Sequence, residues 1–142
     1  MDFKENLSGW GNNINVTSNI HLPKNNTDIS NLYISGIIQN SITRGLGRSY
    51  GDCSLDHNVI SLKNYEKFFK FDDKLGILEC SSNFSLNEIL KLIIKKGWFL
   101  NVTPGSKFIT IDGAIASDVH GKNHHVTGTF GQHVISLNLL LG

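Results

Sequence analysis

Apolar positions are sparse at the start of the chain. Over residues 1–26 only Trp10, Val16, Ile20 and Leu22 stand out as anchors, which predicts an irregular N-terminal segment closing near Pro23. Thr27 is suited to cap a helix that follows, because Ile29, Leu32, Tyr33, Gly36 and Ile37 recur at i, i+3, i+4, i+7 and i+8, one helical face. A short strand is expected over residues 41–44. Residues 58–62, 67–71 and 75–81 are apolar-rich runs separated by turn residues, notably Asp72-Asp73-Lys74, and predict a small meander. Ser85-Leu86-Asn87-Glu88 has the spacing of a capping box, in which serine and glutamate each satisfy an amide the helix start leaves open. Leu86, Ile89, Leu90 and Ile93 carry the stripe on to a basic stop at Lys95-Lys96-Gly97. A strand over 98–102, a short helix of small residues over 109–117 and a buried strand over 133–141 complete an α+β or α/β arrangement with mixed strands.

Length and composition narrow the class. The 142 residues suit one domain or part of one, and 39% hydrophobic content is globular and not disordered. Thirteen Lys and Arg against twelve Asp and Glu leave a net charge of +1, so nothing steers the chain toward nucleic acid or an acidic membrane. Cys53 and Cys80 are too few for a disulfide framework or a zinc site and read as reduced cytoplasmic thiols. Neither a signal-peptide core nor a membrane-spanning apolar run is present, which predicts a soluble chain. There is no internal repeat. Because the last apolar run is followed by no turn or cap, the sequence is expected to be the front part of something longer.

Two segments concentrate chemistry. Gly45-Leu46-Gly47-Arg48-Ser49-Tyr50-Gly51-Asp52 combines main-chain amides with a cation and hydroxyls, the ingredients of a pyrophosphate-binding nest. A dinucleotide Rossmann turn would need a helix running on from it, and the following SYGDCSLDHN has no helical periodicity. Standing alone, the loop reads equally as a Gly-rich turn with no ligand. The second segment runs from Thr103-Pro104-Gly105-Ser106 through Asp112-Gly113-Ala114-Ile115-Ala116-Ser117-Asp118-Val119-His120-Gly121-Lys122-Asn123-His124-His125, and its small residues would let backbone approach a flat ligand. His120, His124, His125 and His133 have no Cys or carboxylate at a recognisable ligand spacing, so no metal site is expected. Trp10 and Trp98 read as core or edge aromatics.

Taken together, RGLGRSYGD, then TPG, GAIASDVHGKNHH and GTFGQHV, in that order over residues 40–142, closely resemble the FAD-dependent oxidoreductases of the vanillyl-alcohol-oxidase superfamily. The nearest branch is the decaprenylphosphoryl-ribose oxidase subunit of bacterial epimerases, with sugar-lactone oxidases more distant. The resemblance implies an α+β fold, the PCMH-type two-lobed FAD-binding domain with the cofactor between its lobes. Residues 27–142 would be its N-terminal portion, holding the first lobe and part of the second, with the remainder and the substrate domain outside the sequence. It further implies a pyrophosphate loop of Thr43, Arg44, Gly45, Leu46, Gly47, Arg48, Ser49, Tyr50, Gly51, Asp52 and Cys53. Gly105, Thr110, Ile111, Asp112, Gly113, Ser117, Asp118, Val119 and His120 would line the rest of the cofactor. Tyr50, His120 and Lys122 become flavin-proximal candidates for catalysis, with the base itself unassigned.

Two departures from the resembled pattern matter. Where several relatives carry a histidine covalently attached to flavin, this chain has Arg48, so FAD is expected to be noncovalent. Asp112 stands where the nearest relatives carry glycine, and its carboxylate is placed both to cap a helix from Gly113 and to repel pyrophosphate. The activity implied is oxidation of a CH–OH group on a sugar or polyprenyl-phosphate sugar, with a short-chain ketoreductase as partner subunit and membrane association only through the substrate. A truncated or split-gene remnant without activity of its own is the alternative, and a sugar-lactone oxidase of arabinono- or gulonolactone type the third reading.

Overall fold

The structure, a computed structural model, describes residues 3–140. These form two compact units, divided between Glu66 and Lys67.

The first unit is built on a four-stranded sheet. Strands β1 (Phe3–Ser8) and β2 (Asn15–His21) form an antiparallel hairpin with Phe3 opposite Ile20 and Ser8 opposite Asn15. Helix α1 (Asn26–Ile34) leads to β3 (Ile42–Thr43) and β4 (Asn58–Ile60), and the sheet order is β1-β2-β4-β3 with β4 parallel to both neighbours. Leu7, Ile20, Leu55 and Val59 make its core, with Val16, Leu22 and Ile42 packed around them.

The N-terminal segment is therefore not irregular, as the sparse apolar positions suggested. Val16, Ser18 and Ile20 alternate inward on β2, and the middle one is a serine, fully buried, whose Oγ donates to the Asp56 carbonyl at 2.5 Å. A satisfied hydroxyl in an apolar row hides a period of two from sequence. Helix α1 also begins earlier than expected: Asn25, not Thr27, is the cap, accepting from the Asp28 N–H. Its apolar residues are nowhere fully buried, and Ile34 is 82% exposed.

The second unit holds the β5 (Phe69–Asp72) and β6 (Ile77–Cys80) hairpin, α2 (Leu86–Ile93), α3 (Ile111–Ala116) and the single turn α4 (His124–Thr127). Of the expected meander only this hairpin forms, because β4 pairs elsewhere. The capping box is present in full: the Ser85 Oγ accepts from the Glu88 N–H, and the Glu88 carboxylate accepts from the Ser85 N–H. Leu86, Ile89, Leu90 and Ile93 are all buried. One core joins Phe84, Ile89 and Ile93 to Phe69, Phe71, Leu78 and Trp98; another joins Leu86, Val102, Ala114 and Phe130.

Two expected strands do not form. Residues 98–102 have no ladder partner, although Val102 is buried. Residues 134–140 likewise have no regular structure and are mostly exposed, while Leu141, the end of that expected strand, lies outside the described residues, as do Met1, Asp2 and Gly142. Apolar alternation supplies one face of a strand but not the neighbouring strand whose amides and carbonyls it needs.

Candidate cofactor site

In the first unit β3 delivers the chain into the Gly-rich loop, and the Arg44 N–H extends the ladder by donating to the Ile60 carbonyl at 2.9 Å. The Arg44 side chain then turns into the fold. Its Nη2 donates to the Ser8 carbonyl at 2.8 Å and its Nη1 to the Ser54 Oγ at 3.0 Å. Burial pulls its pKa below the ordinary guanidinium value, against the raising effect of Glu5. A cation so engaged anchors the loop.

Beyond Arg44, among the described residues, no protein acceptor meets the backbone N–H of Gly45, Leu46, Gly47, Arg48 or Ser49. Gly47 is buried at φ +64, the left-handed conformation that lets successive amides form a concave nest. A Cβ there would lie 2.3 Å from the Arg44 Nη2. Arg48 donates to the Leu46 carbonyl at 2.9 Å and stacks over Trp10, 4.4 Å from the ring centroid. Tyr50 is 75% exposed, Thr43, Asp52 and Cys53 are exposed, and the Cys53 Sγ points to the Tyr50 carbonyl at 3.5 Å. A row of unmet amides flanked by a cation is chemistry for holding a polyanion.

In the second unit lies the other Gly- and Ala-rich segment. Thr110 occupies the N-cap position of α3 without a side-chain cap bond, and the Asp112 carboxylate accepts from the Thr110 hydroxyl and, at 2.6 Å, from the Gly113 N–H. The helix thus starts at Ile111 and not at Gly113, and Asp112 sits inside its first turn with one carboxylate oxygen bonded to its neighbours. Asp118, at φ +41, accepts from the Gly131 N–H at 2.8 Å. His120 bridges to Thr129, and its ring lies 5.1 Å from that of His124, which lies 5.9 Å from that of His125. Among the described residues no three His, Cys, Asp or Glu side chains converge as a ligand set. Ser117 and Lys122 are exposed, Val119 is half-buried, and Gly105 has open space around it. Beside it a cleft of about 410 Å³ is lined by Leu86, Leu90, Phe99, Pro104, Lys107 and Phe108.

The structure thus places residues 43–53 in one unit and 105–120 in the other, with Gly105 on the cleft and apart from the α3 residues. Sequence reasoning missed Ser8, Gly9 and Trp10, which contact residues 43–53 directly; the signal available was the Gly9-Trp10-Gly11 triplet, an aromatic held between two glycines.

Residues 39–142 match the family described as FAD binding domain. The chain belongs to this FAD-binding family. Decaprenylphosphoryl-beta-D-ribose oxidase of Mycolicibacterium smegmatis is 39% identical over 101 residues, which is 70% of this chain and 22% of that protein. An uncharacterized protein of Streptomyces coelicolor is 39% identical over 56 residues, 39% of this chain and 15% of that one. Among solved structures, cholesterol oxidase from Brevibacterium sterolicum superposes with a TM-score of 0.73 at 14% identity, covering 85% of this chain and 25% of that one. The chain therefore spans about a fifth or less of the length of the curated relatives it matches. The α+β fold follows from the structural likeness, and the assignment as an FAD-binding domain from the family match. No helix among the described residues is long and apolar enough to cross a membrane.

Proposed function

We propose that this domain holds FAD noncovalently and serves the oxidation of a CH–OH group on a sugar or polyprenyl-phosphate sugar. The observation that carries the reading is the run of unmet N–H groups from Gly45 to Ser49 around a left-handed Gly47. Five donors left without protein acceptors fit a diphosphate, whose oxygens accept several hydrogen bonds at once. Arg48 has no ring nitrogen to bond to a flavin methyl group, which supports noncovalent attachment and weighs against a covalent lactone oxidase. The cofactor so held would supply the hydride acceptor for the carbinol C–H.

The chain's own residues do the holding. Amides 45–49 bind the diphosphate, and Arg44 fixes their loop. Gly105, Thr110, Ile111, Gly113, Ser117, Val119 and His120 line other parts of the cofactor, and Asp112 has one carboxylate oxygen engaged within its own turn. Tyr50, His120 and Lys122 are the candidates that border the flavin. The substrate class rests on the relative named for decaprenylphosphoryl-ribose; a product ketone on such a sugar calls for a short-chain ketoreductase partner if the outcome is epimerisation.

The test is to incubate the purified chain with FAD, remove excess by gel filtration and precipitate the protein with acid. Flavin co-eluting with the chain and then free in the acid supernatant is the expected result. Flavin retained in the pellet overturns noncovalent binding, and no co-eluting flavin overturns FAD binding by this chain and favours the remnant.

A further inference from the structure

The tip of the β1–β2 hairpin lies outside the span matched to the FAD-binding family, yet it supports the Gly-rich loop at four points. The Arg44 Nη2 donates to the Ser8 carbonyl at 2.8 Å. Gly9 packs so closely that a Cβ on it would sit 2.2 Å from the Gly51 carbonyl oxygen. The Trp10 N–H donates to the Ser49 carbonyl at 2.8 Å, and the Trp10 ring carries the Arg48 guanidinium at 4.4 Å. These contacts bracket the unmet amides from both sides. The loop has no ladder or helix of its own between Arg44 and Asp52, so its conformation depends on what it leans against.

Resting on the reading of residues 43–53 as the pyrophosphate loop, we propose that Trp10 is a positioning residue of the cofactor site: its ring holds Arg48 and its N–H holds Ser49, fixing the amides between Gly45 and Ser49 in the arrangement that receives FAD. Arg48 makes one hydrogen bond to protein, to the Leu46 carbonyl inside the same loop. With the indole beneath it, the guanidinium is confined to one side of the nest. Without that ring the Arg48 guanidinium and its bond to the Leu46 carbonyl lose their fixed geometry, while the main-chain N–H of residue 10 still holds the Ser49 carbonyl.

The experiment measures FAD affinity by flavin fluorescence, and thermal unfolding without FAD, for the full chain and for Trp10→Phe, Trp10→Leu, Arg48→Ala and the Trp10→Leu/Arg48→Ala double variant. Trp10→Phe keeps a π face and is expected to bind within about twofold of wild type, whereas Trp10→Leu keeps apolar volume only and is expected to bind about tenfold more weakly. Acting through Arg48, the leucine substitution should add little once Arg48 is already alanine. Unchanged affinity in Trp10→Leu overturns the proposal, as does an equal loss in both backgrounds. Should the leucine variant not fold, Arg48→Ala decides: affinity equal to wild type overturns the proposal, and an approximately tenfold loss supports it. A wild-type chain that binds no FAD is a different result, and overturns the loop reading itself.

Discussion

Gly121 lies against Thr103 so closely that a Cβ on it would stand 2.7 Å from the Thr103 carbonyl oxygen. This approach joins two motifs distant in sequence, TPG and HGKNHH. It is reinforced by Asn123, whose Nδ2 donates to the Asn101 carbonyl at 3.1 Å. His133 adds a second link, with one ring nitrogen 2.9 Å from the Thr127 carbonyl and the other 3.2 Å from the Asn101 amide nitrogen. Both are satisfied by the neutral tautomer that donates from Nε2 and accepts at Nδ1. Since the atom opposing a side chain at 121 is backbone, Gly121→Ala is expected to cost about 1–3 kcal/mol. Urea unfolding checks this, and an unchanged midpoint would show that the two segments do not touch.

Gly47→Val tests the loop of the first unit. Its φ of +64 disfavours any β-branched residue, and the new Cβ would displace the Arg44 guanidinium from Ser8 and Ser54. A cost of about 1–3 kcal/mol is expected from the backbone strain. FAD affinity, measured by flavin fluorescence, should fall with it. Affinity equal to wild type would remove this loop from the site.

The pH dependence of stability should carry the mark of Glu88. Burial works to raise its pKa, but hydrogen bonds from Lys67 and from the Ser85 N–H and hydroxyl outweigh it and hold the group at about 2, below its ordinary 4.5. A depressed carboxyl stabilises the fold above its unfolded pKa, and that contribution is lost as pH falls through the folded value. Glu88→Gln, which keeps an oxygen for the Ser85 N–H, should therefore be less stable than wild type at pH 7 by less than about 1 kcal/mol, solvent screening included. The gap should close between pH 4.5 and 2. Melting both proteins across that range settles the matter: a gap constant with pH is incompatible with an ion-paired carboxylate.

Local signals were legible where one short stretch contained all its partners. The Ser85–Glu88 box and the Leu86, Ile89, Leu90, Ile93 stripe needed only helical spacing, and both stand as expected. The Gly-rich loop was legible as a motif, through Gly45, Gly47 and Gly51, but its support was not. Trp10 meets Arg48 and Ser49 across a gap in sequence that no periodicity encodes. The same holds for β2, whose buried Ser18 finds its acceptor at Asp56, and for β4, which leaves the hairpin that follows it to pair with β2 and β3. Asp112 was legible as a departure from the resembled pattern, while the Thr110 hydroxyl that binds its carboxylate came only with the structure.

The expected strand over 133–141 leads to the last prediction. Ile135, Leu137 and Leu139 alternate along this segment and are 81%, 54% and 71% exposed, with Leu140 at 64%. Alternating apolar residues on a backbone without ladder hydrogen bonds offer both an apolar face and free amides and carbonyls, the combination that templates strand pairing between molecules. The chain is therefore expected to self-associate as its concentration rises. Leu137→Lys/Leu139→Lys should suppress this, because like charges on one face repel their counterparts and resist burial. Light scattering on both proteins at matched concentrations is the measurement. Association unaffected by the lysines would place the adhesive surface elsewhere, and a wild-type chain that stays monomeric throughout would show that exposure of this stripe does not drive pairing.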